Sequence, residues 1–287
     1  SPERAFLEVK AMNKKQKILI VGAAIFAALL LFSGIMVCRE IKDSKQSAQA
    51  FESLAKLVVE KPKLDIQPDG EISKPENEPP AGESATEITA AEKYTAIYEK
   101  NSDFVGWLRI DGTNINYPVM QSPDNPNFYL KHSFEKEYSN YGVPYLQEHC
   151  ELGVSDNAII YGHHMNDGSM FADLCKYESE DFYREHKTVH FDTLDGFGEY
   201  EVVAVFKTVA YSNDGFPYFL FVKADKPENF DDFIAKCKDL ALYDTAVTAK
   251  YGDKLITIST CEYSRDNGRM VIVAKKVGSP PEVGGNA

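Results

Sequence analysis

The sequence predicts a mainly β domain, a closed antiparallel barrel or a sandwich with peripheral helices, carried behind a single apolar helix. Three observations predict it: short strand-like runs at close spacing from Gly106 onward, an uncharged apolar stretch near the N-terminus, and a proline-rich acidic segment between the two. A formal charge of −13 over 287 residues argues against a nucleic-acid partner, which requires a basic footprint.

The apolar stretch, ILIVGAAIFAALLLFSGIMVC, runs from Ile18 to Cys38. As a helix it is roughly 31 Å long, the thickness of a bilayer's hydrocarbon core. It is longer than the apolar region of a cleaved signal peptide, and the Ala48-Gln49-Ala50 triplet lies far past its end, so an uncleaved membrane anchor is expected. Lys10, Lys14, Lys15 and Lys17 precede it, whereas Arg39, Lys42 and Lys45 are interleaved with Glu40 and Asp43. That balance favours a cytoplasmic segment 1–17 and an extracellular placement for everything after Cys38.

Residues 39–87 read as a helix and linker. Phe51, Leu54, Ala55 and Val58 recur at helical spacing and suggest a short spacer helix. From Lys61 to Glu87, Pro62, Pro68, Pro75, Pro79 and Pro80 break regular structure, leaving a semi-extended solvated linker.

The folded domain is expected over 88–277, with a loose tail at 278–287. AAEKYTAIYEKN reads as a helix with Tyr94, Ile97 and Tyr98 on one face. GWLRI and INYPVM flank the turn signal Asp111-Gly112-Thr113-Asn114. GVPYLQ, NAIIYG, TVHFDT, YEVVAVFKTVAYS, YFLFV, KLITIST and RMVIVAKK read as further strands. A long helix interrupts the late ones, opening at Pro227 and carrying Phe230, Phe233, Ile234, Cys237 and Leu240 on its apolar stripe.

Five cysteines form no framework. Cys38 sits at the membrane boundary, and Cys150, Cys175, Cys237 and Cys261 are widely spaced with no C-x-x-C pair. Cys150, Cys175 and Cys237 read as small core residues. Cys261 differs: it ends the β-branched run LITISTC and is followed by Glu262. A thiol nucleophile needs a proton-exchanging partner and a cation for developing negative charge. Of the histidines at 132, 149, 163, 164, 186 and 190, the pair in IIYGHHMNDGSMF opens a polar loop at a strand end. Adjacent residues of an extended segment point to opposite faces, which argues against a metal shared by His163 and His164. Arg269 opens the strand after Cys261, so a hairpin would bring guanidinium and thiol to one end of the sheet.

These segments resemble the sortases, membrane-anchored cysteine transpeptidases of Gram-positive bacteria. TISTC matches the T-L-x-T-C signature with Ile258 for leucine, YGHHM matches the histidine segment, and Arg269 matches the arginine, all in family order. DFVGWLRIDGTNINYPVMQ, FYLKHSF, GVPYL and YGHHMNDGSMF, with the helix after Pro227, are similar to class B members. The resemblance implies a closed barrel of about eight strands, with His163, Cys261 and Arg269 as catalytic residues and no cofactor. His163 is preferred to His164 because it directly follows the glycine, and Arg269 to Arg265 because MVIVAKK follows it. Leu130, Ser259 and Glu262 are the candidate peptide-groove residues.

The implied reaction is cleavage of a C-terminal sorting motif, NPxTx- or LPxTG-like, in a secreted protein. A thioacyl-enzyme would then pass to the amine of a lipid II-type cell-wall precursor, with Arg269 and a backbone N–H near Glu262 stabilising the oxyanion. The rival readings are a cell-wall cysteine peptidase or amidase, a pilin-polymerising sortase, and a catalytically dead adhesin.

Overall fold

A computed structural model describes residues 14–59, 88–211 and 214–278. The expected proline-rich linker, most of the C-terminal tail and nearly all of the cytoplasmic segment lie outside the described residues. The chain divides into two units, Ser1–Ala48 and Gln49–Ala287.

The first unit contains the apolar part of helix α1 (Lys14–Val59). Among the described residues, α1 is the one helix long and apolar enough to cross a membrane. Its large apolar side chains from Ile18 to Val37 are exposed.

In the second unit, eight strands close into a barrel: β1 (Phe104–Arg109), β2 (Asn116–Met120), β3 (Tyr145–Leu146), β4 (Asn157–Tyr161), β5 (Thr188–Asp192), β6 (Glu199–Val209), β7 (Leu255–Cys261) and β8 (Gly268–Lys276). Around the barrel the order is β1-β2-β3-β4-β7-β8-β6-β5, with β5 returning to β1. Local hairpins supply the antiparallel pairs β1–β2, β5–β6 and β7–β8. The pairs β2–β3 and β4–β7 are parallel, which corrects the expectation of an antiparallel set. Val203, Ala204, Val205, Phe206, Ile256, Ile258, Val271, Ile272 and Val273 are fully buried in the core that these strands share.

Helix α2 (Ala90–Lys100) starts at a capping box. The Thr89 hydroxyl accepts from the Glu92 N–H at 3.2 Å, and the Glu92 carboxylate accepts from the Thr89 N–H at 2.8 Å. A short helix, α3 (Glu180–Glu185), precedes β5. Helix α4 (Pro227–Leu240) has proline in its first turn, where no helical N–H is lost, and packs Phe230, Phe233, Ile234 and Cys237 inward.

Two further expectations change. YFLFV is a single tight turn (Tyr218–Leu220) and not a strand; Phe221 turns its ring onto Phe233 of α4, centroids 4.0 Å apart. The helix around Phe51 is continuous with the apolar one and is more than a spacer. Phe51 and Leu54 are buried within the second unit, and Phe51 meets Tyr117 of β2 edge-on at 4.9 Å.

Candidate active site

The site forms where β4, β7 and β8 end together. Cys261 closes β7 directly opposite Arg269 of β8. Residues opposite one another in an antiparallel pair share a face with Cβ atoms about 4.5–5.5 Å apart. On the other flank β4 runs parallel to β7, with Tyr161 abreast of Ser259. The Gly162 N–H donates to the Ser259 carbonyl at 3.2 Å, and the Thr260 hydroxyl donates to the Gly162 carbonyl at 2.8 Å. His163 lies two residues past Tyr161, as Cys261 lies two past Ser259. Both therefore leave the same end of the paired strands β4 and β7.

His163 is half-buried, and its Nε2 lies 2.7 Å from the Leu130 carbonyl oxygen. A carbonyl only accepts, so Nε2 carries a hydrogen and Nδ1 is the nitrogen left to exchange a proton. Burial draws the ring below its ordinary value of 6.5; the Leu130 carbonyl opposes that and the nearby Lys131 charge adds to it. The resting imidazole is therefore mainly neutral at pH 7. Leu130 closes the tight turn Phe128–Leu130, which Gly142 permits at φ 59°, since a Cβ there would stand 2.8 Å from the Leu130 oxygen.

Arg269 donates from Nη1 to the Gly268 carbonyl at 2.9 Å, and its guanidinium lies 6.0 Å from the centre of the exposed Tyr211 ring. The Glu262 N–H donates to the same Gly268 carbonyl at 2.9 Å. Both donors that an oxyanion would need are thus directed at one backbone oxygen.

Ser259 is buried, with its hydroxyl 2.6 Å from the Tyr218 hydroxyl. Burial, partly offset by that hydrogen bond, pushes Tyr218 up to about 12. Leu130 is half-buried. Glu262 is buried on the far side of the β7 end, where its carboxylate accepts from the Ser264 N–H and hydroxyl at 2.9 and 2.8 Å. Lys207 reaches the same carboxylate at 3.4 Å and Glu178 at 2.8 Å. Burial alone would raise Glu262, but Ser264 and Lys207 outweigh it and hold the carboxyl below its usual range.

His164 points away from His163. Its Nδ1 lies 3.1 Å from the Cys261 carbonyl oxygen and 3.3 Å from the Cys175 sulfur, and its ring packs against Tyr263 at 5.0 Å. The Tyr263 hydroxyl donates to the His164 carbonyl at 3.0 Å. Arg265 is exposed in the turn beyond Cys261.

The structure therefore gathers His163, Cys261 and Arg269 at one end of the barrel. Tyr211, Tyr218 and Cys175 escaped the sequence reading. Tyr218 was hidden in a run read as a strand, and Cys175 in an ordinary core-like context. All five cysteines are free thiols; Cys150 and Cys237 are buried and Cys175 is half-buried.

A family model described as the Sortase domain matches residues 108–277. Sortase B of Listeria monocytogenes is 31% identical over 276 residues, covering 94% of this chain and 99% of the relative. Sortase B of Staphylococcus aureus is 32% identical over 186 residues, 64% of this chain and 74% of the relative. Among solved structures, the Staphylococcus aureus sortase B–substrate complex superposes with a TM-score of 0.67 at 26% identity, covering 83% of this chain and all of that one.

Proposed function

Because this chain belongs to the sortase family, as a cysteine transpeptidase of class B, we propose that Cys261, His163 and Arg269 perform its acyl transfer on a C-terminal sorting motif. The observation that carries this reading is the arrangement at the barrel end, with Arg269 opposite Cys261 on one flank and, on the other, His163 leaving β4 two residues beyond the Tyr161–Ser259 pair.

The Cys261 thiol gives its proton to His163 Nδ1, the resulting thiolate attacks the scissile carbonyl carbon to form a C–S bond, and the carbonyl π electrons move onto oxygen. Arg269 stabilises that oxyanion with a permanent charge. The Glu262 N–H joins it only by releasing the Gly268 carbonyl. The C–N bond then breaks, and His163 gives the departing amine a proton from Nδ1, while Leu130 holds Nε2. An acceptor amine attacks the thioester and gives a proton to His163 Nδ1; the C–S bond breaks, and the departing thiolate takes that proton to regenerate the thiol. Leu130 forms part of the peptide groove. Ser259 acts there through Tyr218, and Glu262 through its backbone.

The substrate is a secreted protein with an NPxTx- or LPxTG-like motif, and the acceptor is the amine of a lipid II-type precursor. Support comes from the likeness to a sortase B that has been solved with a substrate. The exposed apolar face of α1 supports a single-pass anchor in the plasma membrane of a Gram-positive bacterium, with residues 88–277 as the extracellular catalytic domain.

The full chain in detergent, given peptides of both motif types and a series of amines, should release amine-ligated fragments detectable by mass spectrometry. Hydrolysed product alone, whatever the amine, would favour a peptidase instead.

A further inference from the structure

The proposed acyl transfer gives His164 and Cys175 no task, yet both touch the backbone of the proposed nucleophile. The Glu262 N–H pairs with the Gly268 carbonyl across the hairpin. In an antiparallel ladder consecutive residues alternate direction, so Cys261 turns its own carbonyl away from β8 and towards β4. Along the parallel β4–β7 ladder, the Gly162 N–H has just bonded the Ser259 carbonyl. The next rung would bring the residue 164 N–H to the Cys261 carbonyl. β4 has ended by then: the chain turns back, and the Phe171 N–H takes the His163 carbonyl at 2.8 Å.

The ring of His164 stands at the vacated rung, with Nδ1 3.1 Å from the Cys261 oxygen. Because that oxygen can only accept, Nδ1 bears the hydrogen. Cys175 stands beside the same contact, its sulfur 3.3 Å from Nδ1 and 3.8 Å from the Cys261 oxygen. Half-burial and the neighbouring Glu262 carboxylate push this thiol up to about 11, so it remains a neutral S–H able to donate. The peptide unit joining Cys261 to Glu262 is therefore held at both ends, its oxygen by His164 and its N–H by Gly268.

We infer that His164 is a positioning residue for the transfer reaction: its Nδ1–H replaces the missing rung of the β4–β7 ladder and fixes the peptide on which Cys261 is mounted, with Cys175 as its companion. The inference rests on the proposed role of Cys261. It predicts a specific substitution pattern, because the side-chain nitrogen of asparagine occupies the place of Nδ1, while that of glutamine occupies the place of Nε2.

The test uses the full chain in detergent and Asn-Pro-X-Thr-X peptides with a glycine amine. H164N should keep activity within about threefold. H164Q and H164A should lose kcat by roughly tenfold to a hundredfold at unchanged KM, the scale of a small misplacement of a reacting group. All three variants should melt together, since a merely structural role would lower stability in step with activity. The 15N spectrum of histidine-labelled protein should show His164 as the Nδ1–H tautomer, assigned by its loss in H164N. An Nε2–H tautomer, or H164N falling as far as H164A, would overturn the inference. Absence of peptide turnover by the unsubstituted chain would count against the transpeptidase assignment of Cys261, and the tautomer would still decide the contact.

Discussion

His163 and His164 are adjacent in the chain but hydrogen-bond to different carbonyls, Leu130's for the first and Cys261's for the second. The alternation of an extended backbone sends them to opposite sides of the β7 end. One side brings together a thiol, an imidazole with a free Nδ1 and a guanidinium. The other is a fastening, in which His164, Cys175, Ser264 and Lys207 each bond to the backbone of Cys261 or to the side chain of Glu262. Chemistry and support are thus divided between the two sides of the β7 end. Substitutions on the first side should remove turnover, and those on the second should degrade it.

The largest effect is expected at Cys261. C261A should abolish formation of the amine-ligated product and leave the melting temperature nearly unchanged, because the side chain is only half-buried. Product formation at the original rate, measured by mass spectrometry, would remove Cys261 from the reaction. Next comes Arg269. R269K should cost roughly a hundredfold to a thousandfold in kcat, since lysine keeps the charge but loses the planar donor set that spans the Gly268 carbonyl and an oxyanion. R265K, altered in the exposed turn, is the control and should stay near the original rate; a reversed pattern would transfer the oxyanion role to Arg265.

How much of this was legible in the sequence depends on chain distance. Cys261 and Arg269 belong to one hairpin, so their juxtaposition follows from two strands and a short loop. The β4–β7 pairing joins residues about a hundred positions apart in parallel, and no local pattern specifies it. Phe51 illustrates the same limit. Its helical period was visible, but its partner Tyr117 lies far along the chain, so the helix read as a spacer. In YFLFV the apolar run correctly signalled burial. It did not distinguish a strand from a turn whose aromatic rings pack on α4, because burial constrains side chains more tightly than backbone conformation. The fastening around Glu262 was invisible for a further reason: Lys207, Ser264 and Cys175 are ordinary residues that acquire a role only through the closure of the barrel.

A smaller effect should appear behind the first histidine. G142A places a Cβ against the carbonyl oxygens of both Tyr129 and Leu130 at a backbone conformation with φ 59°. The left-handed backbone alone costs about 1–2 kcal/mol, and displacement of the Leu130 carbonyl should misorient His163. Denaturant melts and kcat should therefore both fall. A fall in stability with kcat intact would mean that Leu130 does not orient the imidazole.

The finest test of the contrast is electrostatic. Lys131 helps to hold His163 below its ordinary value, whereas Leu130 and burial are untouched by its charge. Replacing it with glutamine removes a repulsion felt only by the imidazolium, so the His163 ionisation should move to higher pH. In the kcat/KM profile, the ionisation assigned to His163 should shift upward in K131Q relative to the unsubstituted chain. Stability should respond with matching sign. A histidine whose native pKa is depressed binds its proton more readily when unfolded, so the native state loses stability as pH falls below 6.5 and through the native value. K131Q narrows that window and should soften the acid-side loss of melting temperature. The corresponding substitution on the fastening side, H164N, should leave the His163 ionisation where it is. An equal shift in both variants would mean that the two sides are electrostatically one site.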